Sequence, residues 1–170
     1  MVNHRSVTRP AFKVAGKKTW IGGQDNEAFG LFWEQCRQDG LFGVLEGVSR
    51  MQPGAQTGGV TLGVSLVGND PANREFYYLI GVELPEGGDA SGLELYEVPA
   101  TQWEVFECRG PVPQSIVAAE MYAFMEWLPA SGLEHAAAPE MEVYPDGESS
   151  DDYLCEFWLP VRKALTRQEA

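Results

Sequence analysis

The chain has 170 residues, of which 44% are hydrophobic and 11% aromatic, enough for a packed core, so a disordered chain is excluded. Twelve basic residues stand against 25 acidic ones, for a formal net charge of −13. That balance argues against direct nucleic acid binding, because phosphate contacts need clusters of Lys and Arg. The length fits one domain or two small fused modules.

Three cysteines occur, Cys36, Cys108 and Cys155, with no pair at metal-ligand spacing. Each sits in an apolar pattern, which predicts buried free thiols. No His-Cys-Asp cluster suggests a metal, and no motif calls for a cofactor. The stretch from Met1 to Thr8 lacks the apolar centre of a signal peptide. No uncharged run approaches the roughly 20 residues that cross a bilayer. The expectation is a soluble, cytoplasmic protein without membrane contact.

Residues Ser6 to Ile21 read as a strand. Asp25-Asn26-Glu27 then supplies a capping residue and an acidic first turn, and Phe29, Phe32, Trp33 and Cys36 follow at helical spacing. Gly40 is the expected stop, and Leu41 to Val48 a second short helix. A Gly-rich loop spans Gln52 to Gly59. Val60 to Val67 and Glu75 to Leu84 read as an antiparallel hairpin turning at Gly68-Asn69-Asp70-Pro71. Residues 85–92 are the most linker-like part of the chain.

The second half opens with strand-like Leu93 to Tyr96 and Gln102 to Glu107. A helix follows Val112-Pro113-Gln114-Ser115, with an apolar stripe predicted at Val117, Met121, Phe124 and Leu128 and a stop at Pro129. Ser131 to Pro139 is read as a connection. Glu140 to Tyr144 and Asp152 to Pro160 form a second predicted hairpin, and a charged tail follows.

The run around Glu156 is the most unusual feature. No other charge lies between Asp152 and Arg162, and the run is bounded by proline, as in a buried strand. Strand alternation puts Leu154, Glu156 and Trp158 on one face and Tyr153, Cys155, Phe157 and Leu159 on the other. A carboxylate in such a place is held neutral, or is paired by the protein or by an outside cation, or reaches water at the rim of the sheet. Trp158, two residues on, would suit a flat cation.

The order strand, helix, strand, strand occurs twice. Tyr78-Leu79-Ile80-Gly81-Val82-Glu83-Leu84-Pro85 aligns with Tyr153-Leu154-Cys155-Glu156-Phe157-Trp158-Leu159-Pro160, and Pro10-Ala11 with Pro99-Ala100. This suggests a duplication, with repeats at about 3–85 and 93–162 joined by a linker at 85–92 within one domain over 1–170. Glu156 then faces Gly81 in the alignment, and a gap left by Gly81 beside the carboxylate would fit a central pocket.

Val98-Pro99-Ala100 with Trp103-Glu104-Val105-Phe106, Glu126-Trp127-Leu128-Pro129 with Ser131-Gly132, Glu142-Val143-Tyr144, and Glu156-Phe157-Trp158-Leu159-Pro160-Val161 resemble, in order and spacing, the GyrI-like small-molecule-binding family, also called the AraC-type effector-binding domain. The resemblance implies an α+β fold of two β-α-β-β modules about a pseudo-two-fold axis, with antiparallel sheets, one main helix per module and a ligand cleft between them. It implies that Glu156 is the pocket glutamate, with Trp103, Tyr144 and Trp158 at aromatic positions. Phe124, Trp33 and Tyr78 are further pocket candidates as aromatics on the right elements, with core packing as the alternative. Many members carry a DNA-binding module. The space before Ser6 is too short for a helix-turn-helix, so the chain resembles the stand-alone members.

Three functions follow. The first is a pocket for small lipophilic, cationic aromatic compounds, with Glu156 as counter-charge, used for sensing or sequestration. The second is a hydrolase that opens strained electrophilic molecules with the pocket Glu as general acid or base. No Gly-x-Ser-x-Gly elbow supports it, and His4 and His135 lie on stretches expected to be solvated. Glu142 alternates with Met141 and Val143 and is expected to face solvent. The third is an interaction protein of the gyrase-inhibitor kind, for which the acidic loop from Asp146 to Asp152 offers the only surface cue and a solvated turn is the alternative.

Overall fold

The computed structural model describes residues 2–22, 27–50, 54–67 and 75–164. The elements run β1 (His4–Arg9), β2 (Phe12–Ile21), α1 (Glu27–Gln38), α2 (Leu41–Arg50), β3 (Thr61–Leu66), β4 (Phe76–Leu84), β5 (Glu94–Val98), β6 (Thr101–Arg109), α3 (Gln114–Tyr122), a π-helical turn (Ala123–Trp127), α4 (Leu128–Ser131), β7 (Leu133–His135), β8 (Glu140–Tyr144) and β9 (Leu154–Lys163). The fold is α+β, with all nine strands in one antiparallel sheet. Its order is β1-β6-β9-β8-β3-β4-β2-β5, and β7 adds to β9.

The order reads outward from a seam between β3 and β8. On one side lie β4, β2 and β5, and on the other β9, β6 and β1. Leu62 and Val143 face each other across this seam, and their outer partners are Gly81 and Glu156. The sheet uses its faces differently. On one face, α1 and α2 press Phe32, Cys36, Leu41 and Leu45 onto Tyr78, Ile80 and Val82. Along the same face α3 packs Ile116, Ala119 and Ala123 onto Phe106, Cys155, Phe157 and Leu159.

No helix among the described residues covers the other face, yet Val14, Leu62, Val64, Val105 and Met141 are all fully buried. That cluster joins Phe12, Val14 and Val98 from one end of the strand order to Trp103 and Val105 near the other. The sheet therefore curls until its inner face seals on itself. Each large side chain buried there contributes roughly 1.5–3 kcal/mol.

Several expectations are refined. The strand expected over Ser6 to Ile21 is two strands, split at Pro10, which has no N–H for the ladder. β1 leaves its own half and pairs with β6. The loop read as a connection from Ser131 to Pro139 contains β7. Helix α1 carries the expected stripe, with Phe32 and Cys36 buried, and ends at Gly40, whose φ of 78° is the left-handed cap that glycine adopts without strain. The predicted cap at Asp25-Asn26, the turn at 68–71, the start of the loop at 52–53 and the tail beyond 164 lie outside the described residues.

The stripe on α3 is a correction. Val117 and Met121 are 47% and 56% exposed, whereas Phe124 and Leu128 of the expected stripe do pack on the core, beside a sheet-facing row of Ile116, Ala119 and Ala123. Small alanines let the helix backbone lie close on Phe106 and Phe157, which larger residues at those places would prevent. Pro129 does not stop the helix either. The π turn before it, in which the Leu128 N–H donates to the Ala123 carbonyl, widens the ladder where the proline ring would meet the preceding turn. The helix ends at Gly132 instead.

Candidate functional site

The two helical layers share a face, and the seam runs between them. Directly opposed residues on neighbouring strands point the same way, so Ile80, Gly63, Glu142, Phe157 and Phe106 form one row across five strands. The outer members belong to the two helix-covered clusters. The middle two, Gly63 and Glu142, form the floor between them. A Cβ added at Gly63 would strike both the Tyr78 hydroxyl and the Glu142 carboxylate, so glycine is what lets these two groups meet over the strand and close the floor.

Glu142 is the centre of this cleft. The Tyr78 hydroxyl donates to its Oε1 at 2.5 Å, and the Trp33 indole N–H donates to that hydroxyl at 3.2 Å. Tyr144 and Glu120 of α3 also act on the same carboxylate. Glu142 is half-buried, on the floor between the two helical layers. Burial is the main cause that pushes its pKa above the usual carboxylate value, against the pull of the Tyr78 and Tyr144 hydroxyls. Burial also drives the pKa of Tyr78 and Tyr144 well up, and the Glu142 charge adds to it, so both phenols remain proton donors.

Aromatic rings line the walls. Trp33 meets Tyr144 edge-on at 5.4 Å and stacks on Phe42 at 5.8 Å, and Phe29 meets Tyr78 edge-on at 4.9 Å. On the α3 side, Phe124 stacks against His135 at 6.4 Å. His135 is not solvated as expected: its side chain is 5% exposed, one ring nitrogen bonds the Glu140 carboxylate at 2.9 Å and the other the Ala136 carbonyl at 2.6 Å. His4 is partly covered as well, among Phe106, Tyr122 and Trp127, and is bonded to buried Glu104 at 2.5 Å.

The predicted site residues divide between the two faces. Trp33, Tyr144 and Phe124, all half-buried, lie around Glu142, whereas Tyr78 is fully buried and meets Glu142 through its hydroxyl. Glu156, Trp158 and Trp103 lie on the inner face, with Trp103 fully buried and Trp158 nearly so. Glu156 has its partners within the chain: Arg5 donates to it at 2.9 Å and the Trp158 indole at 3.0 Å. Trp158 in turn lies beneath Arg9 at 5.5 Å. Gly81 leaves no gap beside Glu156, since a Cβ there would strike the Ala15 carbonyl of β2. Gly81 is small because two backbones approach closely.

Sequence reasoning set Glu142 aside. The alternation Glu140-Met141-Glu142-Val143-Tyr144 looks like a strand with one solvated face. Its signal was Gly63, which leaves space on the neighbouring strand, but register is needed to see it. Other buried carboxylates have structural partners. Glu83 accepts from the backbone N–H of Gln56 and Thr57 at 3.0 and 2.7 Å and from the Thr57 hydroxyl at 2.9 Å, and Glu104 accepts from Ser6 as well as His4. Among the described residues Glu142 forms no ion pair, and its neighbours include two further acids, Glu120 and Glu140. Two surface depressions of about 290 Å³ lie elsewhere, one beside Gly47 and residues 85–89, the other beside Asn3 and Cys108. No group of three or more metal-ligating side chains occurs among the described residues.

Residues 3–162 match the GyrI-like small molecule binding domain. The chain belongs to this family. It is 29% identical over 168 residues to the transcriptional regulator BrlR of Pseudomonas aeruginosa, covering 92% of this chain and 54% of that one. The chain thus spans about half the length of that regulator. The structure of SAV2435 bound to tetraphenylphosphonium has the same fold, with a TM-score of 0.74 at 22% identity over 94% of each chain. EcmrR, seen in a complex with DNA, is similar with a TM-score of 0.64 at 16% identity, over 96% of this chain and 58% of that one. The expectation that the protein makes no contact with nucleic acid therefore has no support from its relatives, since a fold neighbour is part of a DNA-bound regulator. No helix among the described residues is long and apolar enough to cross a membrane.

Proposed function

We propose that this domain takes up lipophilic aromatic cations in the cleft between α1 and α3, with Glu142 as the counter-charge, and so serves to sense or sequester them. The observation that carries this reading is the environment of Glu142. It is a deep carboxylate, reached by solvent, with hydroxyls, aromatic rings and two further acids around it and no ion pair among the described residues. A lipophilic cation would supply the charge that the chain does not, and the walls of Trp33, Tyr144 and Phe124 would add ring-face attraction, each ring contributing roughly 0.5–2 kcal/mol. A fold neighbour that holds tetraphenylphosphonium is consistent with a cleft of this kind.

The Trp33–Tyr78–Glu142 chain closes the floor as it stands. A bound cation would draw the proton equilibrium of Glu142 toward the ionised form, and Tyr78 would stay as donor to one oxygen while the other faces the ligand. The same carboxylate would serve the hydrolase reading as acid or base, and the two differ in the fate of the ligand.

The test is thermal melting with tetraphenylphosphonium, followed by recovery of the compound. Saturable stabilisation with the compound returned intact supports a binder, as expected for a ligand that favours the native state. A melting curve that the cation leaves unmoved up to millimolar concentration contradicts the reading, and turnover of the recovered compound would favour catalysis.

A further inference from the structure

Cys108 and Cys155 lie directly opposite one another on β6 and β9, both buried and both free. The Gly110 N–H bonds to the Tyr153 carbonyl two positions along, so the cysteines occupy a hydrogen-bonded pair of the ladder. In such a pair the Cα atoms stand about 5.5 Å apart, within the span of about 4.4–6.8 Å that a disulfide bridges. The Cys108 thiol donates to the Phe106 carbonyl at 3.6 Å, and the two sulfurs lie close enough to perturb each other, the Cys155 thiol held below and the Cys108 thiol above the ordinary thiol value.

A second observation singles out the place. The depression beside Asn3, about 290 Å³ in volume, is lined by Cys108 and Ser115 together with Glu107, Arg109, Ala118 and Ala119. The Ser115 hydroxyl is buried and has no hydrogen-bond partner among the described residues. A solvent-facing hollow therefore reaches Cys108 beside an unpartnered donor, and Cys155, the strand partner of Cys108, is fully buried. The third cysteine, Cys36, lies in the other helical cluster.

We propose that Cys108 and Cys155 form an oxidant-accepting dithiol, which a small peroxide entering this depression converts to an intramolecular disulfide. One sulfur of the pair, as its thiolate, attacks one peroxide oxygen. An S–O bond forms, the O–O bond breaks, and the departing hydroxide takes up the thiol proton as water. The opposite sulfur then attacks the oxidised one, forming the S–S bond and expelling the hydroxyl, which leaves with the second thiol proton as a second water. Two thiols are oxidised and one peroxide is reduced.

The bridge would fix β6 to β9. Cys155 acts electrostatically on Tyr144 and Tyr153, so it borders the same cleft wall. The proposal stands whether or not the cleft binds a cation.

The test is to expose the natural chain, folded, to hydrogen peroxide, alkylate the remaining thiols and map the peptides by mass spectrometry. The expected result is a Cys108–Cys155 linked peptide in the monomer, two hydrogens lighter than its parts, with Cys36 alkylated and the link reversed by dithiothreitol. Cys36→Ser retains the link and Cys155→Ser loses it. Three alkylated cysteines, over-oxidation of either Cys108 or Cys155 without a link, or links only between chains would overturn it. Because the decisive reading uses the natural chain, a variant that fails to fold leaves the test intact.

Discussion

The two faces of the sheet carry similar residues to opposite ends. Each has a carboxylate on a strand next to or at the seam, with large aromatics beside it. On the inner face, Glu156 is neutralised by Arg5 and capped by Trp158, and the neighbouring Trp103 is completely buried. On the helical face, Glu142 has phenols and acids for company, and the floor beside it is a glycine. The two carboxylates thus differ in whether the described residues supply an ion-pair partner, and the proposed assignment of the counter-charge to Glu142 rests on that difference.

The comparison can be broken most severely from the inner side. Trp103→Ala should cost about 3–5 kcal/mol of stability, the usual penalty for truncating a buried Trp, measured by urea unfolding. If this large loss came with unchanged cation binding in the surviving folded fraction, the inner face would be core alone. A loss of affinity without loss of stability would mean that Trp103 contacts ligand.

Gly63→Ala attacks the other side. Its methyl group displaces the Tyr78–Glu142 contact and should cost roughly 1–3 kcal/mol, as overpacking does, together with most of the cation affinity. Tyr78→Phe in the same background tests the cause, since removing the hydroxyl relieves part of the clash. A Gly63→Ala chain with natural stability and affinity would show that the floor is not closed as described.

The pH dependence sharpens the contrast further. The pKa of Glu142 is raised in the folded chain, so the native state holds a proton that the unfolded state releases more readily. Stability contributed by that proton is present at low pH and is lost as pH rises from the ordinary carboxylate value of 4.5 through the raised value. Glu142→Gln should abolish this decline and be more stable than the natural chain at neutral pH. Cation binding runs the other way, weakening as pH falls through the same window. Calorimetric melting across pH 4 to 8, on the order of one scan per half unit, checks both directions.

The smallest effect belongs to Arg5. Its side chain is 49% exposed and that of Glu156 23%, so Arg5→Ala should cost within about 1 kcal/mol, in keeping with partly solvated ion pairs. Thermal melting with and without added salt measures it.

The sequence made much of this fold legible. The periodicity of Phe29, Phe32, Trp33 and Cys36 found α1, and the hairpins around the seam followed from β-rich runs and turn residues. The alternation of the last strand correctly put Glu156 beside Trp158 and apart from Phe157. Other features depend on contacts between distant residues. Nothing local says that β1 pairs with β6, and that pairing alone delivers Arg5 to Glu156. The helical stripe was misjudged because Val117 and Met121 are more apolar than Ala119 and Ala123, although smallness decides how close a helix lies to a sheet. Trp33, Tyr78, Tyr144 and Phe124 were recognisable as aromatics on suitable elements. Glu142 was not, since a carboxylate alternating with apolar residues reads the same whether its face meets water or a cleft.

The most direct test of the account is a calorimetric titration of tetraphenylphosphonium into three chains side by side: natural, Glu142→Gln and Glu156→Gln. The account predicts that Glu156→Gln binds as the natural chain does, and that Glu142→Gln loses about 2 kcal/mol or more, roughly thirtyfold in affinity, as when a buried charge loses its partner. The opposite pattern, with Glu156→Gln impaired and Glu142→Gln unaffected, would return the counter-charge to the inner face and contradict the assignment of the cleft.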